Sequence, residues 1–457
     1  MKNYKDITKY FLILITVFLF VAMLVLCGMY LDLRINGKFS SVPGIPEKDK
    51  WILTGAEIDS GSASIALTSP VFIGYRNEEE GMVGAAFNAD SRKDLLKKTD
   101  GIIPELFAGK LRKIKFTRQD DRDSYIKKLI ESEKFFYMNY YSEIPSSVIL
   151  ADFGETDSKH TFFVKYIFVL PDKNGDLYGV FLNEDLEVFE LVPGGEGINY
   201  DENMMFAYNG MRGFAQFEFV SDVCPEAVFT KSFEADSVMM VPSATFYEFE
   251  PDGDNTKRLL DTLNFNRNLV KSYKAADKTS ISFVDDGREL YVDVKNSKIT
   301  FNSQSRGIHI SEYLKYTPNN NHYGFGDMLM CARRLISALD RLLTGGQAYP
   351  SVVGIYSSDE GITVDFKYFY NGILITDEKC DISISFKNDY IVSMNINAVF
   401  CDNGNNTDPV IPQKFTIDIP ENKNDAVNLY YNAMYVVQEG GTDVEFVWVT
   451  RKKGEED

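Results

Sequence analysis

Tyr10–Tyr30 runs for 21 residues without a charged side chain, and that run sets the plan of the whole chain. At 1.5 Å of rise per residue a helix of this length spans about 30 Å, the thickness of a bilayer's hydrocarbon layer. The run therefore predicts a transmembrane helix at residues 10–30. Residues 1–9 carry Lys2, Lys5 and Lys9 against Asp6 alone. The positive-inside rule places this tail in the cytoplasm and the rest of the chain outside. Arg34 and Lys38 follow the span, but Asp32 accompanies them. Tyr10 and Tyr30 bracket it at the depth where amphipathic rings settle. The expected localisation is the cell membrane, with a cytoplasmic N-terminus and an extracellular ectodomain. A cleaved signal peptide is the alternative. Against it, the run exceeds the apolar region of about 7–15 residues that such peptides carry, and no small-x-small cleavage site follows. Cys27 is preceded by Leu26 where a lipoprotein site has a small residue.

Beyond the span the chain is polar and acidic. The formal net charge is −19, and the cytoplasmic tail is positive, so the ectodomain is more acidic still. This argues against nucleic acid or an anionic bilayer surface as partner. For most acidic residues, simple solubility is a sufficient reason. Residues 31–50 form a linker whose Lys38–Lys50 stretch is rich in Ser, Pro and Gly. Cys224, Cys331, Cys380 and Cys401 lie outside the membrane. Spacing alone cannot choose among their pairings. Cys380 and Cys401 flank two apparent neighbouring strands and are the candidate disulfide, with free buried thiols as the alternative.

Hydrophobic patterning predicts an α+β chain: the single N-terminal transmembrane helix, then a multi-domain ectodomain of antiparallel sheets packed by a few helices. Residues 51–145 read as a mixed α/β segment, with strands at Ser64–Leu67 and Val71–Tyr75 and helices after Ser91 and over Asp123–Ser132. From Phe135 the pattern changes to strands, and residues 146–320 read as β-rich. Phe135–Tyr141, Ser147–Leu150, Thr161–Leu170 and Leu177–Leu182 are aromatic and branched runs, and Asp172-Lys-Asn-Gly-Asp176 is a hairpin signal between two of them. A short helix over Thr256–Phe265 precedes strands at Thr279–Phe283, Glu289–Val294 and Lys298–Phe301. Residues 323–457 read as a third, α+β segment. Its helix presents Met328, Ala332, Leu335, Leu339 and Leu342 on one face, the pattern of ordinary core packing, and ends at Gly345-Gly346. Strands follow at Ser351–Tyr356, Ile362–Tyr370, Ile373–Thr376, Asp381–Phe386 and Ile391–Val399, a short helix near Asp425, and a last strand at Val444–Thr450.

The catalytic patterns are missing. His160, His309 and His322 are the only histidines; none sits in HExxH and no pair has helical ligand spacing. No GxSxG or SxxK set supplies a nucleophile. Gly194-Gly-Glu-Gly197 lacks the lysine of a phosphate cradle. Asp172, Asn174 and Asp176 open like a calcium loop, but Leu177 and Asn183 stand where glycine and glutamate are required. No catalytic residue, cofactor, cofactor ligand or metal ligand is assigned. A carboxylate pair has no linear signature, so a surface hydrolase remains a third reading.

Several stretches resemble the YycH/YycI family. They are Leu67-Thr-Ser-Pro70 with Val71–Ile73, and Val238-Met-Met-Val-Pro242. Leu259, Leu260 and Leu263-Asn-Phe265 lead from there to the hairpin Ser282–Val294, with Asp286-Gly287 in its turn and Leu290 opening its second strand. Phe366–Ile375 around Asn-Gly is similar to a strand pair of a YycI-like last domain, and Phe446-Val-Trp-Val-Thr450 to a closing strand. The resemblance implies a non-catalytic, single-pass regulator in a Gram-positive two-component signalling system. Its partners would be the WalK (YycG) sensor kinase and a related accessory protein, reached through transmembrane-helix and ectodomain contacts. Within the span, Ala22 and Gly28 are the candidate helix-packing positions; six apart, they do not form a GxxxG face. The second reading is an exported binding module for a cell-wall or peptide ligand, with the span as a passive tether.

Overall fold

A computed structural model describes most of residues 68–398, together with strands at 401–410, 429–437 and 444–452. The segments expected as span and linker, with Ala22 and Gly28, and also His322 and Cys380, lie outside the described residues. Among the described residues no helix is long and apolar enough to cross a membrane. Lys50–Tyr356 and Gly361–Asp457 group as one unit, whose described residues have the following architecture.

The run Phe135–Tyr141 is apolar at nearly every position rather than at alternate ones. A strand reads this way when both faces of its sheet are covered. The strands concerned are β1 (Phe72–Asn77), β2 (Gly81–Ala85), β3 (Lys110–Lys115), β4 (Phe135–Pro145), β5 (Phe163–Pro171), β6 (Leu177–Leu182), β7 (Glu187–Val192), β8 (Phe214–Val220) and β9 (Cys224–Thr230). They form a nine-stranded antiparallel sheet in the order β3-β7-β6-β5-β4-β1-β2-β8-β9. Phe135 and Tyr137 of β4 join Phe168, Leu170 and the helix Gln119–Ile130 on one face. Phe136, Met138 and Tyr140 join Val164, Ile167 and the helix Ile102–Phe107 on the other. Ser147–Leu150, expected as a strand, lies instead in the helix Ser146–Asp152. Val148, Ile149 and Leu150 are all buried. A short run buried all round has no period by which helix and strand could be told apart.

The second assembly starts with β10 (Phe233–Met240), β11 (Lys271–Lys274), β12 (Ser280–Asp285), β13 (Arg288–Asp293), β14 (Lys298–Ser303), β15 (Ile308–His309) and β16 (Tyr349–Ser358). It continues with β17 (Gly361–Tyr370), β18 (Ile373–Thr376), β19 (Asp381–Lys387), β20 (Tyr390–Asn397), β21 (Cys401–Val410), β22 (Leu429–Val437) and β23 (Val444–Lys452). Twelve strands form one sheet, running β11-β12-β13-β14-β20-β19-β17-β18-β22-β23, with β15 on β20 and β16 on β17; β10 and β21 pair separately. The pairing of β18 with β22 is parallel. Here alternation is clean: Ile281, Phe283, Leu290, Val292, Ile299, Phe301, Ile384 and Ile396 point inward. The helix Phe325–Leu343 covers them with Leu329, Ala332, Leu335, Ile336 and Leu339. A smaller helix, Asp254–Thr262, adds Leu259 and Leu260.

The stretch Thr68–Val71 ties these parts together. Thr68 donates to Asp152 Oδ2 through its N–H (2.7 Å) and its hydroxyl (2.6 Å). The Ser69 N–H donates to Ser351 Oγ at 2.9 Å, and Arg92 donates to the Val71 carbonyl at 3.2 Å. The Ser142 hydroxyl donates to the Val353 carbonyl, and Tyr141 meets Phe369 edge-on at 6.3 Å between ring centroids. The fold is therefore α+β, with antiparallel sheets and few helices.

Candidate functional site

The twelve-stranded sheet begins at β11, which pairs with β12 and, among the described residues, with nothing on its other side. The Ala275 N–H donates to the Ser280 carbonyl at 3.0 Å. In an antiparallel pair, residues that face their partner with backbone groups alternate with residues that face away. Counting back from Ala275, Tyr273 and Lys271 bond inward to Ser282 and Val284, and Ser272 and Lys274 direct their N–H and C=O groups outward. The turn that closes this hairpin is held by Asp277. Its Oδ1 accepts from the Thr279 N–H (3.1 Å) and hydroxyl (2.8 Å), and these bonds hold its carboxyl below the usual aspartate value.

Beside the edge lies a groove of about 540 Å³, in which Leu260, Phe265, Val270 and Phe283 form an apolar part and Asp252, Lys257, Asn266, Arg267, Asn268 and Ser272 a larger polar part. Its wall is the segment that leaves the helix Asp254–Thr262, and the sequence fixes how it leaves. Asn264 takes φ +53°, the Asn264 N–H donates to the Asp261 carbonyl (3.1 Å), and the Phe265 N–H donates to the Leu260 carbonyl (2.8 Å). This is a Schellman motif, which an asparagine in the left-handed conformation permits. It turns Phe265 into the core, where Phe301 meets it edge-on at 6.1 Å.

The same wall segment is held from behind the groove lining by one ion pair. Arg288 holds Asp285 Oδ2 at 2.6 Å, donates to the Asn264 carbonyl at 3.1 Å and lies over the Phe265 ring at 4.8 Å. The Asn266 N–H also donates to Asp285 Oδ2, at 3.3 Å. These contacts start at the Asp286-Gly287 turn, where both residues have positive φ (+44° and +76°), as the tightest hairpins require.

Large exposed apolar side chains concentrate here. Among the described residues there are five, Val192, Leu269, Tyr273, Val284 and Tyr356, and three of them border this edge. Leu269 is 67% exposed and Tyr273 58%. The sheet end at β3 is built differently. It carries Lys110, Arg112, Lys113 and Lys115, with Arg112 on Glu190 (3.2 Å) and Lys113 and Lys115 on Glu187 (2.7 and 3.6 Å). Charged side chains, lysine above all, keep a free strand from pairing with another chain. The β11 end carries two lysines of its own, Lys271 and Lys274, and presents Leu269 and Tyr273 beside them.

The other sequence-derived positions do not meet here. His160 Nε2 lies 3.0 Å from the Gly109 carbonyl, and His309 Nδ1 accepts from the Ser311 N–H at 3.2 Å with its ring against Tyr323 and Tyr390. Cys331 is a free, buried thiol. Cys401 opens β21 opposite Met240 of β10. Strands β19 and β20, which Cys380 and Cys401 flank, are antiparallel neighbours. The edge residues escape a reading of the sequence alone. The signal they offer is Leu269, Val270 and Tyr273 inside an otherwise polar link between a helix and a strand.

No family model matches the chain, and no curated protein sequence matches it. Among solved structures, the crystal structure of YycH from Bacillus subtilis is similar to it: the TM-score is 0.56 at 12% sequence identity, over 85% of this chain and 95% of that one. The fold is YycH-like.

Proposed function

We propose that this chain is a non-catalytic accessory regulator of a membrane sensor kinase, held at the cell surface by its N-terminal span. The likeness to YycH over 85% of this chain and nearly the whole of the neighbour is the observation that carries the reading. The uncharged run Tyr10–Tyr30 and its lysine-bearing tail support the membrane anchor, with the ectodomain outside. In this reading the span packs against helices of the kinase, with Ala22 and Gly28 allowing close approach, and the ectodomain contacts the kinase or a second accessory protein.

The test compares the full chain with one whose residues 10–30 are replaced by an unrelated apolar helix. Kinase output is measured in cells, and kinase recovery is measured from mild detergent. The expected result is loss of both in the exchanged form. Unchanged signalling would refute action through the span. Full activity of a soluble chain lacking residues 1–38 would favour the binding-module reading, in which the span is only a tether.

A further inference from the structure

We propose that the β11 edge is a docking site for one extended segment of a different protein chain, which adds to the twelve-stranded sheet as a further strand. The inference stands on the edge itself and is independent of the regulatory reading. The outward N–H and C=O groups of Ser272 and Lys274 supply the main-chain bonds of such an addition. Register then decides where the incoming side chains go. A residue opposite Ser272 shares the face of Phe283 and enters the groove between Leu260, Phe265 and Val270. A residue opposite Tyr273 lies on the other face, against Tyr273 and near Val284. The site therefore fits a strand with an apolar residue for the groove and a second apolar residue for the tyrosine.

Charge selects the occupant. Lys274 is held by Glu250, whereas Lys271 has no carboxylate partner among the described residues. An acidic residue flanking the incoming strand meets it. A second copy of this chain is a poor occupant. Pairing two β11 strands about Tyr273 sets the Lys274 of each copy opposite the Ser272 of the other, so no apolar side chain reaches Leu260, Phe265 and Val270. It also joins two bodies that each carry a formal charge of −19.

The experiment uses the full chain in mild detergent and capped synthetic peptides of alternating Val and Thr, flanked by Glu. The groove-side residue is Leu, Phe or Ala, and one Leu peptide is N-methylated at the amides that would bond Ser272 and Lys274. Binding is read by fluorescence anisotropy. The Leu and Phe peptides should bind at least tenfold more tightly than the Ala peptide, and the N-methylated peptide should fail. Ser272→Pro deletes an outward N–H that the β11–β12 ladder does not use, so it should abolish binding with the sheet intact by circular dichroism. Tyr273→Lys, a surface change at an exposed position, should weaken binding by at least tenfold. Absence of binding up to about 1 mM, the limit of a weak complex, would overturn the proposal. So would affinity untouched by both variants, or self-association of the chain that Ser272→Pro disrupts.

Discussion

Asp327 is a point at which removing one charge should stabilise the fold. It is the third residue of the helix Phe325–Leu343 and only 1% exposed. Its Oδ2 reaches back to accept from the Gly324 N–H at 2.7 Å, the reciprocal half of a capping box; Oδ1 has no hydrogen-bond partner among the described residues. Burial pushes the carboxyl up from 3.8 to about 6, with the negative charge of Asp389 adding to the shift and the Gly324 N–H opposing it. At 1.36 kcal/mol per tenfold, ionising it in the folded state is disfavoured by about 3 kcal/mol at most, and solvent reaching the site lowers this to about 1–3 kcal/mol. The native state holds this proton to higher pH than the unfolded chain does. Stability therefore falls as pH rises from 3.8 towards 6, and the full penalty is present above that.

Asp327→Asn keeps an oxygen for Gly324 and removes the charge. It gives up a favourable helix-dipole interaction of about 0.3–1 kcal/mol. The relief of desolvation outweighs that loss, so the variant should be more stable than the parent by about 1–2 kcal/mol at pH 8. The gain should shrink by about 1 kcal/mol at pH 5. Urea unfolding followed by circular dichroism at both pH values measures this. A variant destabilised at pH 8, or one whose stability varies with pH as the parent's does, would refute the assignment of the penalty to this carboxyl.

Two further outcomes rest on particular contacts. Gly361 has φ +149°, and a Cβ there would lie 1.9 Å from the Phe386 carbonyl oxygen. Gly361→Ala should lower the unfolding free energy by about 2 kcal/mol or more, and a parent-like urea midpoint would contradict this. Cys331 is fully buried, and burial pushes its thiol well above the ordinary value. Iodoacetamide should leave Cys331 unmodified in the native chain and label it fully in urea, as peptide mass spectrometry can follow; rapid native labelling would mean that the helix packs otherwise.

The elements legible in the sequence are those whose local chemistry leaves one choice. Leu177–Leu182 coincides with β6. The hairpin signal before it is explained by Asp172, whose Oδ1 accepts from the N–H groups of Asn174 (2.7 Å) and Asp176 (3.0 Å), and by Gly175 at φ +88°. The helix stripe Met328, Ala332, Leu335 and Leu339 is buried as its spacing requires. Elements left unassigned fall where local pattern is weak. Lys110–Lys115 forms β3 with four cations among six residues, because a sheet-edge strand needs little apolar surface. Leu429–Val437, which the sequence pattern does not single out, forms β22, a strand whose partners β18 and β23 are distant or later in the chain. The short helix expected near Asp425 lies outside the described residues.

The candidate site shows a different limit. Every turn that shapes it is encoded locally: Asn264 ends a helix, Asp286-Gly287 makes a hairpin, and Asp277 closes another. What makes it a site is that β11 is left at the end of a sheet, and sheet order is a property of the whole chain. Tyr273 read in sequence is one aromatic residue beside a lysine. Its meaning comes from register, which puts it beside Val284 and leaves the outward backbone groups of Ser272 without a neighbouring strand among the described residues. The β3 edge, guarded by Lys110, Arg112, Lys113 and Lys115, shows that this same chain does protect a sheet end with charge. At β11, Lys271 and Lys274 give part of that protection, yet Leu269 and Tyr273 stay exposed beside them. An exposed apolar edge invites pairing with other chains, and an edge retained in that form is best accounted for by a strand that fits it.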